Sequence, residues 1–195
     1  MEVFFYGPEG GRGMKLYMTI LRDYEFVLRM IPRSKIGSPD AVCRELKYLA
    51  DYRGLFARHF RVGDRITSGY DHVYTMNKLF EMKTFDFRAY FEALGKAGHE
   101  ITNCWVVQYL WSGKHDWHRD KGIRGTHRWI MSLGCLGKEF WLKCGDGQVK
   151  HMLRHGSVVC MNKKTSGMTD GTFKHAGKGD ATGSFAVVFE TKFVG

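Results

Sequence analysis

The chain has 195 residues, 44% hydrophobic and 14% aromatic, which fits one domain with a buried core and excludes disorder along its whole length. Lysine and arginine number 30 against 20 aspartates and glutamates, so the net charge is +10 and favours a polyanionic partner. No apolar run approaches the ~18 residues of a membrane span, and the first residues lack the pattern of a signal peptide.

Cysteine usage indicates the compartment. The five cysteines are odd in number and form no Cys-x-x-Cys pair, which argues against a disulfide framework or a cysteine zinc site. We therefore expect a reduced, intracellular setting, cytoplasmic or nuclear, and no secretion. Because no polybasic tail or basic amphipathic helix suggests a membrane surface, nucleic acid (DNA or RNA) is the expected partner.

Helical patterns dominate the first part of the chain. Residues 1–94 contain 8 of the 24 glycines, and residues 95–195 contain 16. Asp40 could cap a helix that runs to about Leu55. A second helix is predicted from Asp86 to Ala97, because its aromatic and leucine side chains recur on one helical face. Gly98 follows as the expected C-cap.

Short strands dominate the second part. Gly-Asp-Gly at 145–147 predicts a hairpin turn between two of them. Helices followed by strands indicate the α+β class, in which the helices brace one sheet of an antiparallel sandwich or barrel. The predicted strands, rich in β-branched and aromatic residues, are Trp105–Leu110, Trp129–Leu133, Glu139–Lys143, Gln148–Leu153, Ser157–Met161 and Ser184–Phe193.

The densest polar cluster spans residues 115–120 and contains His118 and Asp120, two residues apart. Residues two apart on a strand point to one face, so this imidazole and this carboxylate could bind one metal ion together. Two histidines and one carboxylate form the ligand set of non-haem Fe(II) oxygenases, which leaves coordination positions open. The third ligand must come from elsewhere, since His-x-Asp alone is short enough to arise by chance.

Several weaker motifs surround this pair in a fixed order. Tyr109 precedes His118 by nine residues, and His175 follows it by 57, beyond a predicted strand. With these motifs, the second part of the chain resembles the AlkB-type branch of the 2-oxoglutarate- and Fe(II)-dependent dioxygenases. The stretches that carry the resemblance are Gln108–Gly113, His118–Asp120, Met131–Gly134, Leu153–Val159 and Phe173–His175.

The resemblance implies a single domain with a double-stranded β-helix (jelly-roll) core at residues 95–195, preceded by an N-terminal helical and lid region at residues 1–94. It implies that His118, Asp120 and His175 bind Fe(II) and that Tyr109 contacts 2-oxoglutarate. The protein would leave metal positions open for the oxo-acid and for dioxygen. It would also aim a substrate C–H bond and exclude solvent.

The last predicted strand departs from this family. The family usually has two arginines there, six residues apart, which hold the oxo-acid carboxylates, but residues 184–193 contain no arginine. Lys192 is the only cation of that strand, so we expect it to anchor the cofactor as a point charge. Glu190 would repel the oxo-acid unless it is paired or turned away, and Val107 stands where the family often has asparagine.

Aromatic and basic side chains near the predicted mouth could stack on an unpaired base or pair with phosphates, or could serve core packing and ordinary ion pairs. These substrate candidates are Tyr70, Tyr74, Trp111, Trp117, Arg119, Arg124 and Arg128. His115 could replace His118 as a metal ligand. The histidines expected to serve surface or packing roles are His127, His151 and His155.

Three functions fit these patterns. The leading hypothesis is an oxidative dealkylase or hydroxylase of nucleic-acid bases, in which a methyl group on a base nitrogen, for example, is hydroxylated and lost as formaldehyde. A second hypothesis keeps the chemistry and changes the substrate to protein side chains or small molecules. A third, suggested by the missing arginines, is a catalytically inactive dioxygenase-fold domain that binds nucleic acid or protein.

Overall fold

The structure is a computed structural model that describes residues 4–6, 37–69, 71–110, 114–134, 138–169, 171–179 and 184–195. Its helices in these ranges are α1 (Pro39–Tyr52), α2 (His72–Leu79) and α3 (Phe87–Lys96). Its strands are β1 (Phe4–Tyr6), β2 (His59–Val62), β3 (Arg65–Ser68), β4 (His99–Tyr109), β5 (Lys114–His118), β6 (His127–Leu133), β7 (Lys138–Cys144), β8 (Gly147–Leu153), β9 (Val158–Asn162), β10 (Phe173–Gly179) and β11 (Ser184–Phe193). Within the described ranges, each helix is too short or too polar to cross a membrane.

Both predicted helices form, and their ends follow from capping chemistry. In α3, the side chain of Asp86 accepts a hydrogen bond from the Ala89 N–H at 2.9 Å, as predicted. Ala97 is the C-cap, and Gly98 follows it with a φ of 83°, which a glycine adopts without strain. In α1, Ser38 rather than Asp40 is the N-cap, because proline follows it at the first helical position.

The strands form two antiparallel sheets that face each other. The first sheet has the order β2-β3-β4-β11-β6-β9, and the second has the order β1-β8-β7-β10-β5. From β4 onward, the chain crosses repeatedly between the two sheets. The first sheet receives β4, β6, β9 and β11, and the second receives β5, β7, β8 and β10. This alternation is the double-stranded β-helix, or jelly roll, that the sequence predicts.

The helices cover the outer face of the first sheet. Phe91 of α3 packs against Phe189 of β11 with 5.3 Å between ring centroids, and both belong to the main hydrophobic core. Leu46 of α1 is buried in the same core. The inner face of this sheet looks towards the second sheet and lines a cavity. The α+β class with helices bracing one sheet is therefore confirmed.

The first 94 residues contribute strands as well as helices. The strand β1 pairs with β8, and the β2–β3 hairpin extends the first sheet through β4. The division of the domain into 1–94 and 95–195 stays a prediction.

The predicted turn at 145–147 is confirmed, since Cys144 pairs with Gly147 and Gly145 has a φ of 57°.

Candidate active site

The three side chains predicted to hold a metal converge between the two sheets. His118 is the last residue of β5 and pairs with His175 on the neighbouring β10. Asp120 lies two residues past the end of β5, in the loop rather than on the strand. One ligand atom from each of the three residues lies within 4.8 Å of the other two. A single divalent cation fits such a group of donors.

Backbone contacts orient the two residues of the His-x-Asp motif. The Nδ1 of His118 lies 2.7 Å from the carbonyl oxygen of Asp116, so the N–H at Nδ1 donates there and Nε2 keeps its lone pair for a metal. The backbone N–H of Asp120 donates to the Ser166 carbonyl at 3.0 Å. The Nε2 of His175 lies 3.7 Å from the Oδ1 of Asp120.

Burial sets the protonation states of these groups. Desolvation lowers the pKa of His118 and lowers that of His175 well below its ordinary value, so both imidazoles are neutral and able to act as ligands near pH 7. Burial also raises the pKa of Asp120 to about 6, and the charge of Arg128 only partly offsets that rise. A bound cation would stabilise the ionised carboxylate further.

Arg128 on β6 connects Asp120 to a second buried carboxylate. One end of its guanidinium forms an ion pair with the Oδ1 of Asp120. Its Nε donates to the Oε1 of Glu190 at 3.0 Å, and the backbone N–H of Arg124 donates to the Oε2 at 3.0 Å. The repulsion that Glu190 would exert on an oxo-acid is thus neutralised by pairing. Arg128 thus forms ion pairs with a proposed ligand and with Glu190, and its pairing with a phosphate stays a prediction.

Lys138 on β7 is a buried cation in the same cavity. Its side chain is 3% exposed, and its Nζ is buried without a hydrogen-bond partner. The Nζ lies 3.4 Å from the ring centroid of Tyr109, the residue predicted to contact 2-oxoglutarate. Both residues line the cavity that contains the three converging side chains. A carboxylate placed beside Lys138 would supply the partner that its ammonium lacks.

Lys192, the expected cofactor anchor, lies elsewhere, and that expectation is corrected. Ala186, Val188 and Glu190 alternate towards the cavity side of β11, but the pairing of β11 with β4 shifts between Glu190 and Thr191. The extra residue at this shift, Thr102, lies on β4. Lys192 lies two residues beyond Glu190, near the end of β11 and opposite Glu100 in the register with β4. It is exposed there and is absent from the cavity lining.

Three of the predicted substrate residues, Tyr74, Trp117 and Arg119, are exposed at the surface. Tyr74 donates its hydroxyl to the Gly54 carbonyl at 2.9 Å, and Arg119 lies exposed against Gly167. Neither lines the metal-site cavity. Trp117 is 41% exposed on the outer face of the second sheet. Tyr70 and Trp111 lie outside the described residues.

The four other histidines named from the sequence separate into one cavity residue, His115, and three others. His115 lines the cavity and stacks on His118 with 3.6 Å between ring centroids, while the converging group contains His118. His151 is buried on β8, where desolvation lowers its pKa. The Nε2 of His155 lies 2.9 Å from the Gly37 carbonyl. His127 packs its ring against that of Trp129.

Sequence reasoning missed Lys138 and Arg65 as cavity residues. Arg65 begins β3, pairs with Tyr109 and lines the cavity. A signal for Lys138 exists in the sequence, since it alternates with Phe140 and Leu142, both of which point inward. A lysine in register with two buried apolar residues indicates a buried cation.

The donors fit a divalent metal and a dicarboxylate. The Oδ2 of Asp120 and the Nδ1 of His175 are, like the Nζ of Lys138, buried without hydrogen-bond partners. Buried polar atoms are normally satisfied, so three orphans in one cavity indicate a bound group. Two neutral imidazoles and one carboxylate suit Fe(II) and leave positions open. The lysine and the tyrosine suit the far end of an oxo-acid.

No protein-family model matches the sequence, and no curated protein matches it. Among solved structures, an oxidoreductase of the 2OG-Fe(II) oxygenase family from Burkholderia pseudomallei is similar, with a TM-score of 0.50 and 16% identity over 98% of this chain and 95% of the other. A Pseudomonas putida prolyl-4-hydroxylase has a TM-score of 0.46 and 13% identity over 80% of this chain and 89% of its own. The Escherichia coli ribosomal oxygenase YcfD, solved with cobalt and 2-oxoglutarate, has a TM-score of 0.39 and 14% identity over 68% of this chain and 33% of its own.

The first of these likenesses confirms the predicted fold. It extends over nearly the full length of both chains. The finer resemblance to the AlkB-type branch stays a prediction.

Proposed function

We propose that this protein is a 2-oxoglutarate- and Fe(II)-dependent oxygenase. His118, Asp120 and His175 would hold the metal, and Lys138 with Tyr109 would hold the distal carboxylate of the oxo-acid. The observation that supports this most is the position of Lys138, a buried ammonium without a hydrogen bond, in the same cavity as the three converging donors. It supplies the cation that the final strand lacks.

The chemistry would be oxidative. When bound, Fe(II) and 2-oxoglutarate supply an oxidant that is made from dioxygen and attacks a substrate C–H bond. The chain's own residues bind and shield these groups. Lys138 neutralises a carboxylate, and the ring of Tyr109 holds its ammonium in place. Phe140, Ile130 and Val188 line the cavity with apolar surface that excludes water.

The proposed substrate is a base of DNA or RNA, which would be hydroxylated or dealkylated. The net charge of +10 supports a polyanionic substrate. Arg65 adds a cation beside the cavity, and its charge contributes to the lowered pKa of His115 and His118. A phosphate next to the reacting base would find a counter-charge there.

The direct test supplies the protein with Fe(II), 2-oxoglutarate and oligonucleotides methylated at base nitrogens. We expect succinate and demethylated base, both measured by mass spectrometry, in equal amounts. Coupled turnover with a peptide or a small molecule, and none with nucleic acid, would reassign the substrate. Metal uptake with no heat on titration of 2-oxoglutarate would identify a binding domain without catalysis.

A further inference from the structure

A groove with two tryptophan walls crosses the outer face of the second sheet. Trp117 belongs to β5 and Trp141 to β7, and Ala176 of β10 lies between them in the sheet. Ala176 pairs directly with Trp141, and β5 meets β10 at a bulge opposite the same position. All three residues line one groove. Because the side chain of Ala176 is small, it leaves open space between the two large tryptophan side chains.

The spacing of the walls suits one flat ring. Strands in a sheet lie about 4.8 Å apart, so β5 and β7, with β10 between them, are separated by roughly 9.6 Å. A planar ring in contact with an indole on each side needs about 7–8 Å between the indole planes, twice the optimal carbon–carbon distance. The strand separation therefore leaves room for one planar ring between the two indoles.

Contacts with Glu139 and Lys150 hold Trp141 in place, and Lys150 lies on the side of Trp141 that faces away from Ala176. The Nε1 of Trp141 donates to Glu139 at 3.0 Å, and the Nζ of Lys150 lies 5.1 Å from the Trp141 ring centroid. Lys150 pairs with Trp141 from β8, so this cation contacts the indole from the β8 side. The side towards β10 borders the groove.

The groove continues into the metal-site cavity. His115, Ala176 and Gly177 line both spaces. Gly177 pairs with His115, whose ring stacks on that of the proposed ligand His118. A chain that occupies the groove therefore reaches the place where the proposed chemistry occurs, and its neighbouring unit could enter the cavity.

The charges on this face attract an anion. Lys143 and Lys174, both exposed, pair directly across β7 and β10, and like charges in that position repel unless an anion lies between them. Lys178 lines the groove, Lys150 forms an ion pair with Glu139, and Asp116 is an exposed carboxylate at the groove's β5 end. Among the described side chains, these four lysines and two acids leave a net charge of +2 on this face.

We infer that the slot between Trp117 and Trp141 binds one base of a single-stranded nucleic acid, whose phosphates lie against Lys174, Lys143 and Lys178. In single-stranded nucleic acid, flat bases alternate with negatively charged phosphates along the chain. A base can therefore stack between the tryptophans while the phosphates lie near the lysines. This inference rests on the proposed function and adds a second position on the same substrate strand, outside the cavity. An acidic peptide with aromatic side chains is the alternative ligand that the experiment below excludes or selects.

The test measures the affinity of a fluorescent oligothymidylate for the Mn(II)-loaded full chain by anisotropy. Trp117→Ala removes one wall, and Ala176→Leu fills the slot while both walls remain. We expect each to weaken binding by roughly 5- to 150-fold, the range for the loss of one stacked base. Tyr52→Ala, which removes an aromatic side chain that is 77% exposed on α1, should bind as the wild type does.

The outcomes separate the slot from the proposed function. Unchanged affinity in both slot variants, with succinate still formed on methylated oligonucleotides, would overturn the slot and leave the proposed function standing. Weakened binding in the slot variants without turnover on any nucleic acid would support the slot and overturn the proposed substrate. Tighter binding of an acidic tyrosine-containing peptide than of the oligonucleotide would overturn the inference in favour of a protein ligand.

Discussion

Two cations, the partly buried Arg128 and the buried Lys138, share the candidate active site and differ in what neutralises them. Arg128 lies between the carboxylates of Asp120 and Glu190, so the protein itself supplies its counter-charges. Lys138 contacts the ring of Tyr109 and has no hydrogen bond at its Nζ. An aromatic face compensates a buried ammonium less than a carboxylate does. The arginine therefore acts within the fold, and the lysine is placed for a ligand.

The first prediction concerns this lysine. Lys138→Met keeps the length of the side chain and removes the charge. We expect the affinity for 2-oxoglutarate, titrated calorimetrically into the Mn(II)-loaded protein, to fall by about 10- to 150-fold, which corresponds to the loss of one charged hydrogen bond. Because the variant also removes an uncompensated buried charge, the free energy of unfolding without ligands should not decrease.

Lys192→Met is the matched control for that titration. Lys192 is an exposed lysine outside the cavity lining, so the affinity for 2-oxoglutarate should stay at the wild-type value. A loss in Lys192→Met and none in Lys138→Met would restore the anchor expected from the sequence and contradict the assignment of Lys138.

The second prediction concerns Arg128. Arg128→Met leaves two buried carboxylates without their shared partner, and breaking a buried ion pair from one side costs about 3–5 kcal/mol. We expect a loss of that size in the free energy of unfolding, measured by urea denaturation without metal. Arg128→Met with Glu190→Leu should recover part of it, because one orphaned charge is then removed. A single variant as stable as the wild type would show that Arg128 does not neutralise these groups.

At the scale of residues, the sequence predicts the three converging donors and misses the buried lysine of the same cavity. His118, Asp120 and His175 are visible because short motifs in fixed order surround them. The role of Lys138 depends on which sheet faces Tyr109, and that is a property of the pairing between distant strands. A local pattern can predict that Lys138 is buried, but it cannot predict that its ammonium contacts the ring of Tyr109.

At the scale of elements, predictions succeed where apolar periodicity is regular. The strand β11 has the predicted bounds, Ser184–Phe193, because eight consecutive buried residues lie between two covered faces. The strands β5 and β10 escape prediction, since they are short, polar and rich in histidine and glycine. These two strands carry His118 and His175, and the polar residues and glycines around these histidines lower the β-strand propensity of both segments.

A carboxylate joins α1 to the segment that precedes α3, and this is the third prediction. Glu45 accepts hydrogen bonds from the backbone N–H groups of Lys83 and Thr84, both at 2.8 Å, and from the Thr84 hydroxyl at 2.5 Å. Partial burial tends to raise the pKa of Glu45, but these hydrogen bonds and the charge of Lys83 outweigh it, so the folded-state pKa is lowered. The stabilisation is present above the unfolded-state pKa of about 4.3 and is lost as the pH falls through the folded-state value.

We therefore expect Glu45→Gln to lower the free energy of unfolding by about 1 kcal/mol at pH 7, and the difference from the wild type to shrink below pH 4. Urea denaturation at both pH values measures this. Glu92→Gln, on the exposed face of α3, should show little difference at either pH. A pH-independent difference in Glu45→Gln would mean that packing, and not the charge, joins these elements.

At the scale of the whole molecule, the main hydrophobic core and the candidate active site lie on opposite faces of the first sheet. The outer face of the first sheet packs on the helices with the main hydrophobic core. Its inner face carries Glu190 and Tyr109, which are buried, and Arg128, which is partly buried. Burial of orphaned polar atoms costs free energy in the protein without ligands. A metal and an oxo-acid that satisfy these atoms should return that free energy on binding.

The fourth prediction follows from this linkage. A ligand at 100 times its dissociation constant stabilises the folded state by about 2.7 kcal/mol, which raises the Tm of a chain of this length by roughly 5–10 °C. We expect Mn(II) to produce such a shift in differential scanning calorimetry and 2-oxoglutarate to add to it when the metal is present. His175→Ala should abolish the metal shift, whereas His115→Ala should keep most of it, since His115 is not one of the converging donors. A metal shift lost in His115→Ala and kept in His175→Ala would move the third ligand to the neighbouring ring and overturn the proposed centre.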